Sequence, residues 1–166
     1  MLMQLINANT KLKQLSKAYE ANFMRKYAPN VIIPTRVLTM KFPNELHYTA
    51  EHLWVSPAPD GNWLAGITDY AQDLLGDIVF IEPPKLGSML VNAQPCGIVE
   101  SVKTGSDLHA PMNGVVTVIN EHLINAPEGI NDKPYAAWIF KFKPSDVSDT
   151  THFLSAKAYQ KNLIGD

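Results

Sequence analysis

One lysine stands apart from every other basic residue in the middle of the chain. Between Lys85 and Lys133, the 166-residue sequence has a single basic side chain, Lys103. The apolar run Gly97–Val102 precedes it, and residues 104–107, Thr-Gly-Ser-Asp, form a concentrated turn signal after it. The pattern therefore predicts Lys103 at the tip of a hairpin, projecting into solvent on its flexible four-carbon stem.

An amine in this position suits modification better than catalysis. A free exposed lysine has a pKa of about 10.4, so it is almost wholly protonated at neutral pH and is a poor nucleophile. Acidic neighbours, here Glu100 and Asp107, oppose the lower pKa that catalysis needs. A protruding amine is instead accessible to a modifying enzyme. The alternative from spacing alone is a solvated turn lysine without a special role.

Common catalytic and metal-binding patterns are absent from the sequence. There is no Gly-rich phosphate loop, no Cys-x-x-Cys and no Gly-x-Ser-x-Gly. No two histidines stand at i, i+4 spacing around a carboxylate, so neither catalytic residues nor a metal site are predicted. Surface or capping roles are predicted for the five histidines, which are His47, His52, His109, His122 and His152.

Composition limits the class of protein. The chain is 46% hydrophobic and 18% charged, which is enough apolar sequence to form a core. Its single cysteine, Cys96, excludes an internal disulfide scaffold, favours a reducing compartment and is expected to be a buried thiol. No run approaches 18 apolar residues and no secretory pattern opens the chain, so the expected location is the cytoplasm. A mitochondrial presequence over residues 1–19, and hence the matrix, is the alternative.

The net charge of −2 hides two segments of opposite sign. Residues 1–43 hold seven Lys and Arg against one acid, a net of +6, and residues 44–166 hold seven Lys against fifteen acids, a net of −8. No arginine follows Arg36, so neither nucleic acid nor an acidic ligand is an expected partner of the acidic part. The split predicts a basic helical extension, with a helix over residues 9–27, followed by a separate domain. The helix is expected to be a solvated appendage that docks on its own domain or on a partner protein, and a targeting or membrane-surface helix is the alternative.

The elements that position Lys103 are predicted to be short strands. Ile78–Ile81 is apolar at every position, which is typical of a strand covered on both faces, whereas Phe140–Lys143 alternates like a half-exposed strand. Many short strands separated by turns predict a mainly β fold, either a sandwich or a flattened barrel. The six predicted strands are Leu53–Val55, Trp63–Ala65, Ile78–Ile81, Gly97–Val102, Val115–Ile119 and Trp138–Phe142.

Turn and cap signals complete this outline. Residues 60–62, Asp-Gly-Asn, predict a hairpin turn between the first two strands. A short helix is predicted over residues 68–76, with either Thr68 or Asp69 as its N-cap and Gly76 as a natural terminating residue. A C-terminal helix is predicted over residues 150–164. Its apolar face consists of Phe153, Ala156, Tyr159 and Leu163.

Several segments, read together, carry a family resemblance. Around Lys103 the sequence reads Glu100-Ser101-Val102-Lys103, then Ser106-Asp107, Ala110-Pro111 and Gly114. Other segments agree in order and spacing: Tyr48–Val55, Gly66–Gln72, Leu75–Phe80, Asn120-Glu121, Ile130-Asn131, Pro134-Tyr135, Trp138 and Ala156–Tyr159. From about residue 46 to about residue 164, the chain resembles the H-protein family of the glycine cleavage system.

The resemblance implies a lipoyl-domain-like sandwich that carries lipoate in amide linkage on Lys103. Such a protein is a carrier rather than an enzyme, because the cofactor supplies the chemistry. It would shuttle an aminomethyl group between glycine decarboxylase (P-protein) and aminomethyltransferase (T-protein), with reoxidation by dihydrolipoamide dehydrogenase (L-protein). A lipoate ligase or a lipoyl/octanoyl transferase would attach the cofactor. The implied modification-motif and arm-neighbouring residues are Glu100, Ser101, Val102, Ser106 and Asp107.

Two positions depart from the family pattern. The first strand of the family usually reads His-Glu-Trp, where this chain has His52-Leu53-Trp54, and the position of Leu74 is often polar or His. In the family, that glutamate lines a groove that shelters the charged aminomethyl arm. Leucine at both positions implies a groove less suited to a protonated amine.

Three functions therefore stay open at the level of sequence. The first is an H-protein of glycine cleavage. The second is an H-protein-like lipoyl carrier for another pathway, such as sulfur transfer, lipoate relay or a stress response. The third is an unmodified protein-interaction scaffold.

Overall fold

The computed structural model describes residues 37 and 40–165. The helix predicted over residues 9–27 and most of the basic extension lie outside the described residues. No helix in the part of the chain that is described combines the length and the apolar character needed to cross a membrane.

Two antiparallel sheets form the body of the domain. The strands in residues 40–165 are β1 (His47–Tyr48), β2 (Leu53–Pro57), β3 (Trp63–Ile67), β4 (Ile78–Glu82), β5 (Met89–Leu90), β6 (Pro95–Ser101), β7 (Gly105–His109), β8 (Gly114–Ile119) and β9 (Phe140–Pro144). The larger sheet has six strands in the order β1-β2-β3-β9-β8-β5, and the smaller has three in the order β4-β6-β7. The fold is therefore mainly β, as predicted.

The predicted turn between β2 and β3 is confirmed. Gly61 has φ +78°, which glycine adopts without strain. The backbone N–H of Asn62 donates to Asp60 Oδ1 at 3.0 Å, so the side chain at the start of the turn holds it closed.

The prediction that Ile78–Ile81 is covered on both faces is wrong. Ile78 and Ile81 are buried, but Val79 and Phe80 are 52% and 47% exposed. The pairing of β4 with β6 shifts register between Ile78 and Phe80, as it does at a β-bulge, and the strict alternation of faces is lost there. Val79 and Phe80, which lie between the two buried isoleucines, consequently both face outward. An apolar run does not reveal whether anything covers the second face of its sheet.

The predicted alternation is confirmed in β9, which is an interior strand of the larger sheet. Phe140 and Phe142 in β9 are fully buried, and Lys143 is exposed. The strand begins two residues later than predicted. Before it, Ile139 N still donates to Ala65 O at 2.7 Å, and the carbonyl of Trp138 accepts from Asn120 Nδ2 at 2.7 Å.

Two apolar clusters fill the interior of the described residues. The first includes buried residues from both sheets, among them Val55, Ile81, Val99 and Phe142. The second lies around the C-terminal helix. Its buried members are Val37, Tyr48, Trp54, Ala156, Tyr159 and Leu163. Val37 precedes the domain boundary predicted at residue 43, yet it is buried in this cluster.

Four short helices occur in the described residues: α1 (Asp69–Leu75), α2 (Glu121–Asn125), α3 (Gly129–Asp132) and α4 (Ala156–Gly165). Of the two N-caps predicted for α1, the structure selects Thr68 over Asp69, and the predicted termination at Gly76 is confirmed. Thr68 Oγ1 accepts from Ala71 N at 3.2 Å, and Gly76 ends the helix with φ +85°.

The C-terminal helix begins at Ala156 rather than at residue 150. Ser155 caps it, because its Oγ accepts from Ala158 N at 3.2 Å. Just before the cap, Leu154 pairs with Tyr48 in an isolated antiparallel bridge, so the backbone there is extended. This long-range pairing overrides the helical pattern of residues 150–155.

Candidate functional site

Lys103 lies at the turn of the hairpin formed by β6 and β7. Strand β6 ends at Ser101 and β7 begins at Gly105, so the turn comprises residues 102–104. Lys103 is exposed, as predicted. The adjacent Val102 is 76% exposed, which places two neighbouring side chains of the turn in solvent.

Residues 104–107 were predicted as the turn, and this prediction is wrong for most of the segment. Gly105, Ser106 and Asp107 belong to β7 and pair with Glu100, Val99 and Ile98 of β6. Glycine, serine and aspartate favour turns locally, but the β6–β7 ladder supplies backbone partners for this segment. The actual turn is shorter and centres on Lys103 itself.

The side chain of Ser101, at the end of β6, stabilises the conformation of this turn through hydrogen bonds. Its hydroxyl accepts from the backbone N–H groups of Thr104 at 3.1 Å and Lys103 at 3.3 Å, and it donates to Thr104 O at 3.1 Å. The backbone N–H of Ser101 also donates to Thr104 O, at 2.7 Å. Ser101 is 8% exposed, so these bonds are shielded from water. Sequence grouped Ser101 with the motif, and the structure shows what its side chain contacts.

The surroundings of the lysine are acidic without forming an ion pair with it. Glu100, Ser106 and Asp107 are all exposed on the hairpin. In residues 37 and 40–165, Lys141 pairs with Asp60, and His152 lies 3.7 Å from Asp149, with which it forms an ion pair when protonated; Lys103 takes part in neither contact. The amine is therefore not engaged by a carboxylate of the described chain.

An open groove of about 220 Å³ runs beside the hairpin. Thr104, Ser106 and Asp107 of the hairpin line one side. The remaining lining is mostly apolar and comes from β2, β3, α1 and the buried side chains of β6 and β7. It includes Leu53, Ile67, Ala71, Leu74, Leu75, Val99 and Leu108, with Glu51 and His52 at one end.

Both leucines that depart from the family pattern line this groove. Leu53 is 1% exposed and forms part of the wall, whereas Leu74 is 54% exposed. The apolar residues Ile67, Ala71 and Val99 were not identified from sequence as groove residues. Nothing in their local pattern distinguishes them from other core positions, because they converge only when the two sheets pack.

The residue that ends α1, Gly76, contacts the side chain of Lys103. A Cβ placed on Gly76 would be 3.4 Å from Lys103 Cε and 3.8 Å from Nζ, so the stem of the lysine lies against this glycine. Gly76 was predicted as a helix terminator only. Its contact with Lys103 is a tertiary feature.

A buried hydroxyl connects the groove with the C-terminal helix. Tyr159 Oη lies 2.8 Å from His52 Nδ1 and 2.9 Å from the hydroxyl of Thr68, the N-cap of α1. Burial raises the pKa of Tyr159 above its usual range. His52 adopts φ +66°, an uncommon conformation for a residue with a side chain. The sequence predicted a surface or capping role for His52, and its half-buried side chain contacts Tyr159.

Thiol and metal chemistry have little support in the described part of the chain. Cys96 is a free, half-buried cysteine, and desolvation raises its pKa to about 12. The thiolate, which is the reactive form, is therefore strongly disfavoured. Within residues 37 and 40–165 there is no group of three or more His, Cys, Asp or Glu side chains that could hold a metal ion.

Comparison with known proteins connects this geometry to a family. The family model described as "Glycine cleavage H-protein" matches residues 46–165, which is most of the chain. The chain belongs to the glycine cleavage H-protein family. The matched region contains Lys103, its hairpin and every residue that lines the groove.

Bacterial H-proteins are similar over nearly their whole length. The glycine cleavage system H protein of Methylobacillus flagellatus is 63% identical over 124 residues, which cover 75% of this chain and 99% of the relative. That of Nitrosospira multiformis is 47% identical, with 75% of this chain and 96% of the relative covered. The solved H-protein of Mycobacterium marinum superposes with a TM-score of 0.66 at 36% identity, covering 72% of this chain and 97% of that chain. The predicted fold class and family are thus confirmed.

Proposed function

We propose that this chain is the lipoyl-bearing carrier of the glycine cleavage system and that Lys103 carries lipoate in amide linkage. The observation that carries the proposal is the exposed amine of Lys103 on a hairpin turn beside an apolar groove, in a chain of the H-protein family. The protein would act as a shuttle between enzymes and would not itself be a catalyst.

The residues present suit such a cofactor. An attached arm needs an accessible amine, a fixed base and room beside the base. Lys103 supplies the amine, Ser101 fixes the turn through three hydrogen bonds, and the groove lies alongside. The apolar walls at Leu53 and Val99 are compatible with an aliphatic arm. Bound lipoate supplies a reducible disulfide at the end of a long flexible arm.

Charge supports the proposed partners. Amide formation removes one positive charge, so the segment 44–166 would go from −8 to −9. A domain of one sign steers its association with surfaces of opposite sign, in a way that salt weakens. The proposed partners are glycine decarboxylase, aminomethyltransferase, dihydrolipoamide dehydrogenase and a lipoate ligase or lipoyl/octanoyl transferase. A cytoplasmic location is part of the proposal, since the free thiol of Cys96 fits a reducing compartment.

Intact mass spectrometry tests the attachment site. Protein expressed with lipoate is expected to gain one lipoyl increment, and Lys103→Ala is expected to gain none. Lys85→Ala is the matched control, because Lys85 is also exposed and should leave the increment intact. Wild-type protein without an increment, or an increment that persists in Lys103→Ala, would favour the unmodified interaction scaffold or another site.

A second candidate function is a lipoyl carrier for a different pathway, such as sulfur transfer, lipoate relay or a stress response. The observation that favours it is the apolar groove wall at Leu53, which offers no acceptor or negative charge to a protonated amine. If this candidate holds, the lipoylated protein will not support exchange of glycine carboxyl with bicarbonate by glycine decarboxylase.

Two variants of Leu53 separate the candidates. If the groove wall blocks glycine cleavage, Leu53→Glu will gain exchange activity and Leu53→Gln, which has a similar shape without the charge, will gain far less. Thermal unfolding of both variants checks that the newly buried polar groups leave the domain folded. A wild-type protein that is fully active as it stands removes this second candidate.

A further inference from the structure

A short segment between α1 and β4 supports the lysine hairpin from one side. We name residues Gly76–Ile78 the shelf. The carbonyl of Asp77 accepts from the backbone N–H of Val102 at 3.1 Å, which ties the hairpin turn to the shelf. The stem of Lys103 also lies against Gly76, as described above. The shelf therefore contacts both the backbone and the side chain of the turn.

Asn131, in α3, binds both ends of the shelf although it is more than fifty residues away in sequence. Its Nδ2 donates to Gly76 O at 2.9 Å and to Gln72 Oε1 at 2.8 Å, and its Oδ1 accepts from Ile78 N at 2.9 Å. A carbonyl can only accept and a backbone N–H can only donate, so these partners determine the orientation of the amide. Both the oxygen and the nitrogen of the amide are thus bonded to residues of the shelf.

We propose that Asn131 is a positioning residue for the Lys103 arm, which it holds in place through the shelf. This inference rests on the proposed modification of Lys103. Asn131 acts along two routes. It binds the carbonyl of Gly76, the residue against which the Lys103 stem lies. It also binds the N–H of Ile78, which shares one peptide group with the Asp77 carbonyl that accepts from Val102 N. Gly76 has φ +85°, so a side chain there would introduce strain as well as bulk beside the lysine stem.

The functional consequence concerns the geometry of the amine when it is acylated. Attack on an activated acyl group needs the amine held close and aligned, and small displacements lower the rate strongly. If the shelf became more mobile, the exposed residues that the ligase recognises would stay the same, but the amine of Lys103 would occupy a wider range of positions. Loss of Asn131 should therefore lower kcat for lipoylation more than it raises KM.

The substitution Asn131→Asp removes the two hydrogen bonds that the amide nitrogen donates to Gly76 O and Gln72 Oε1. A carboxylate keeps an acceptor for Ile78 N but has no N–H for Gly76 O or Gln72 Oε1. With lipoate, ATP and a lipoate ligase, kcat is expected to fall about tenfold, whereas KM for the protein changes by less than about twofold. In the unmodified protein, amide exchange at Val102 is expected to become at least about tenfold faster as its bond to the shelf weakens.

Asn120→Asp is the matched control. Asn120 makes the same kinds of bonds, since its Oδ1 accepts from Leu123 N at 3.3 Å and its Nδ2 donates to Trp138 O at 2.7 Å. It does not contact the shelf. Asn120→Asp is expected to cost similar stability while leaving kcat and Val102 exchange near their wild-type values. An equal fall of kcat in both variants would assign the effect to stability and overturn the proposal.

The remaining outcomes are equally decisive. Wild-type protein that gains no lipoyl increment overturns the proposed function itself. If wild-type protein is modified and Asn131→Asp keeps its kcat and Val102 protection, only the role of Asn131 is overturned. Should Asn131→Asp fail to fold, Gln72→Met removes one acceptor of the same network, and a kcat equal to wild type would then overturn the role.

Discussion

At the scale of single residues, the hairpin tip combines a mobile side chain with a constrained backbone. Lys103 is exposed and has no ion-pair partner in the described chain, whereas its backbone N–H binds the buried hydroxyl of Ser101. Restricting the backbone lowers the entropy that must be lost when an enzyme binds the turn, and the side chain keeps its reach. Ser101 is therefore the residue on which the shape of this turn depends most directly.

Ser101→Ala is expected to lower the free energy of unfolding by about 1–2 kcal/mol, because three hydrogen bonds in a shielded position are lost. Urea unfolding measures the change. Ser106→Ala is the control, since Ser106 is exposed and its hydroxyl makes one long contact of 3.5 Å to Asp107 O. It is expected to change stability by less than about 0.5 kcal/mol. Equal losses in the two variants would contradict the role given to Ser101.

At the scale of elements, the C-terminal helix contributes to the groove without lining it. Tyr159 in α4 reaches across to His52 at the groove and to Thr68, the cap of α1. Its ring also stacks on Tyr48 with centroids 4.9 Å apart. One side chain thus joins α4 to the start of the helix whose other end supports Lys103.

Tyr159→Phe is expected to destabilise the domain by about 1–3 kcal/mol, because the fully buried Thr68 hydroxyl loses a partner while the ring stacking remains. Denaturant unfolding measures this loss. Tyr70→Phe serves as the control: its ring lies 4.9 Å from that of His52, and the variant keeps the ring. The control should stay within about 0.5 kcal/mol of wild type. A similar loss in both variants would show that the hydroxyl bonds of Tyr159 are unimportant.

At the scale of the whole molecule, several buried and half-buried groups of the described domain favour their protonated forms. Desolvation is the main cause that raises the pKa values of Tyr48, Tyr135 and Tyr159, and it raises that of Cys96 to about 12. In the unfolded chain the pKa of the cysteine thiol is about 8.5 and that of a tyrosine phenol is about 10. The stability that these groups contribute is fully present below those values and is lost as the pH rises above them.

The described domain is therefore expected to lose stability on the alkaline side. The slope is expected to reach about 1.4 kcal/mol per pH unit for each group that ionises only when unfolded, with the steepest fall above about pH 10. Urea midpoints between pH 8 and pH 11 measure it. Cys96→Ala should remove the earlier part of the fall, below pH 10, and leave the later part. A midpoint that stays constant to pH 11 would contradict the assigned burial of the phenols.

Much of the architecture follows from local sequence patterns. The Asp60–Asn62 turn, the caps of α1 at Thr68 and Gly76, and the alternation in β9 were predicted because each depends on a few neighbouring residues. The exposure of Lys103 was predicted for the same reason. The resemblance of these segments, in their order along the chain, indicated the family, and the comparison with known proteins confirmed the family.

Other features depended on which elements meet. Residues 105–107 form a strand because β6 supplies backbone partners, and Val79 and Phe80 are exposed because a bulge turns them away from the core. The bonds from Asn131 to Gly76 and Ile78 connect segments that are far apart in the chain. The groove wall at Leu53 is likewise formed by residues from distant segments. Local propensity acts over a few residues, whereas strand pairing, burial of a face and long-range hydrogen bonds exist only after the chain has folded. The sequence by itself thus determined the family and the exposed lysine, and only the tertiary structure decided what holds that lysine in place.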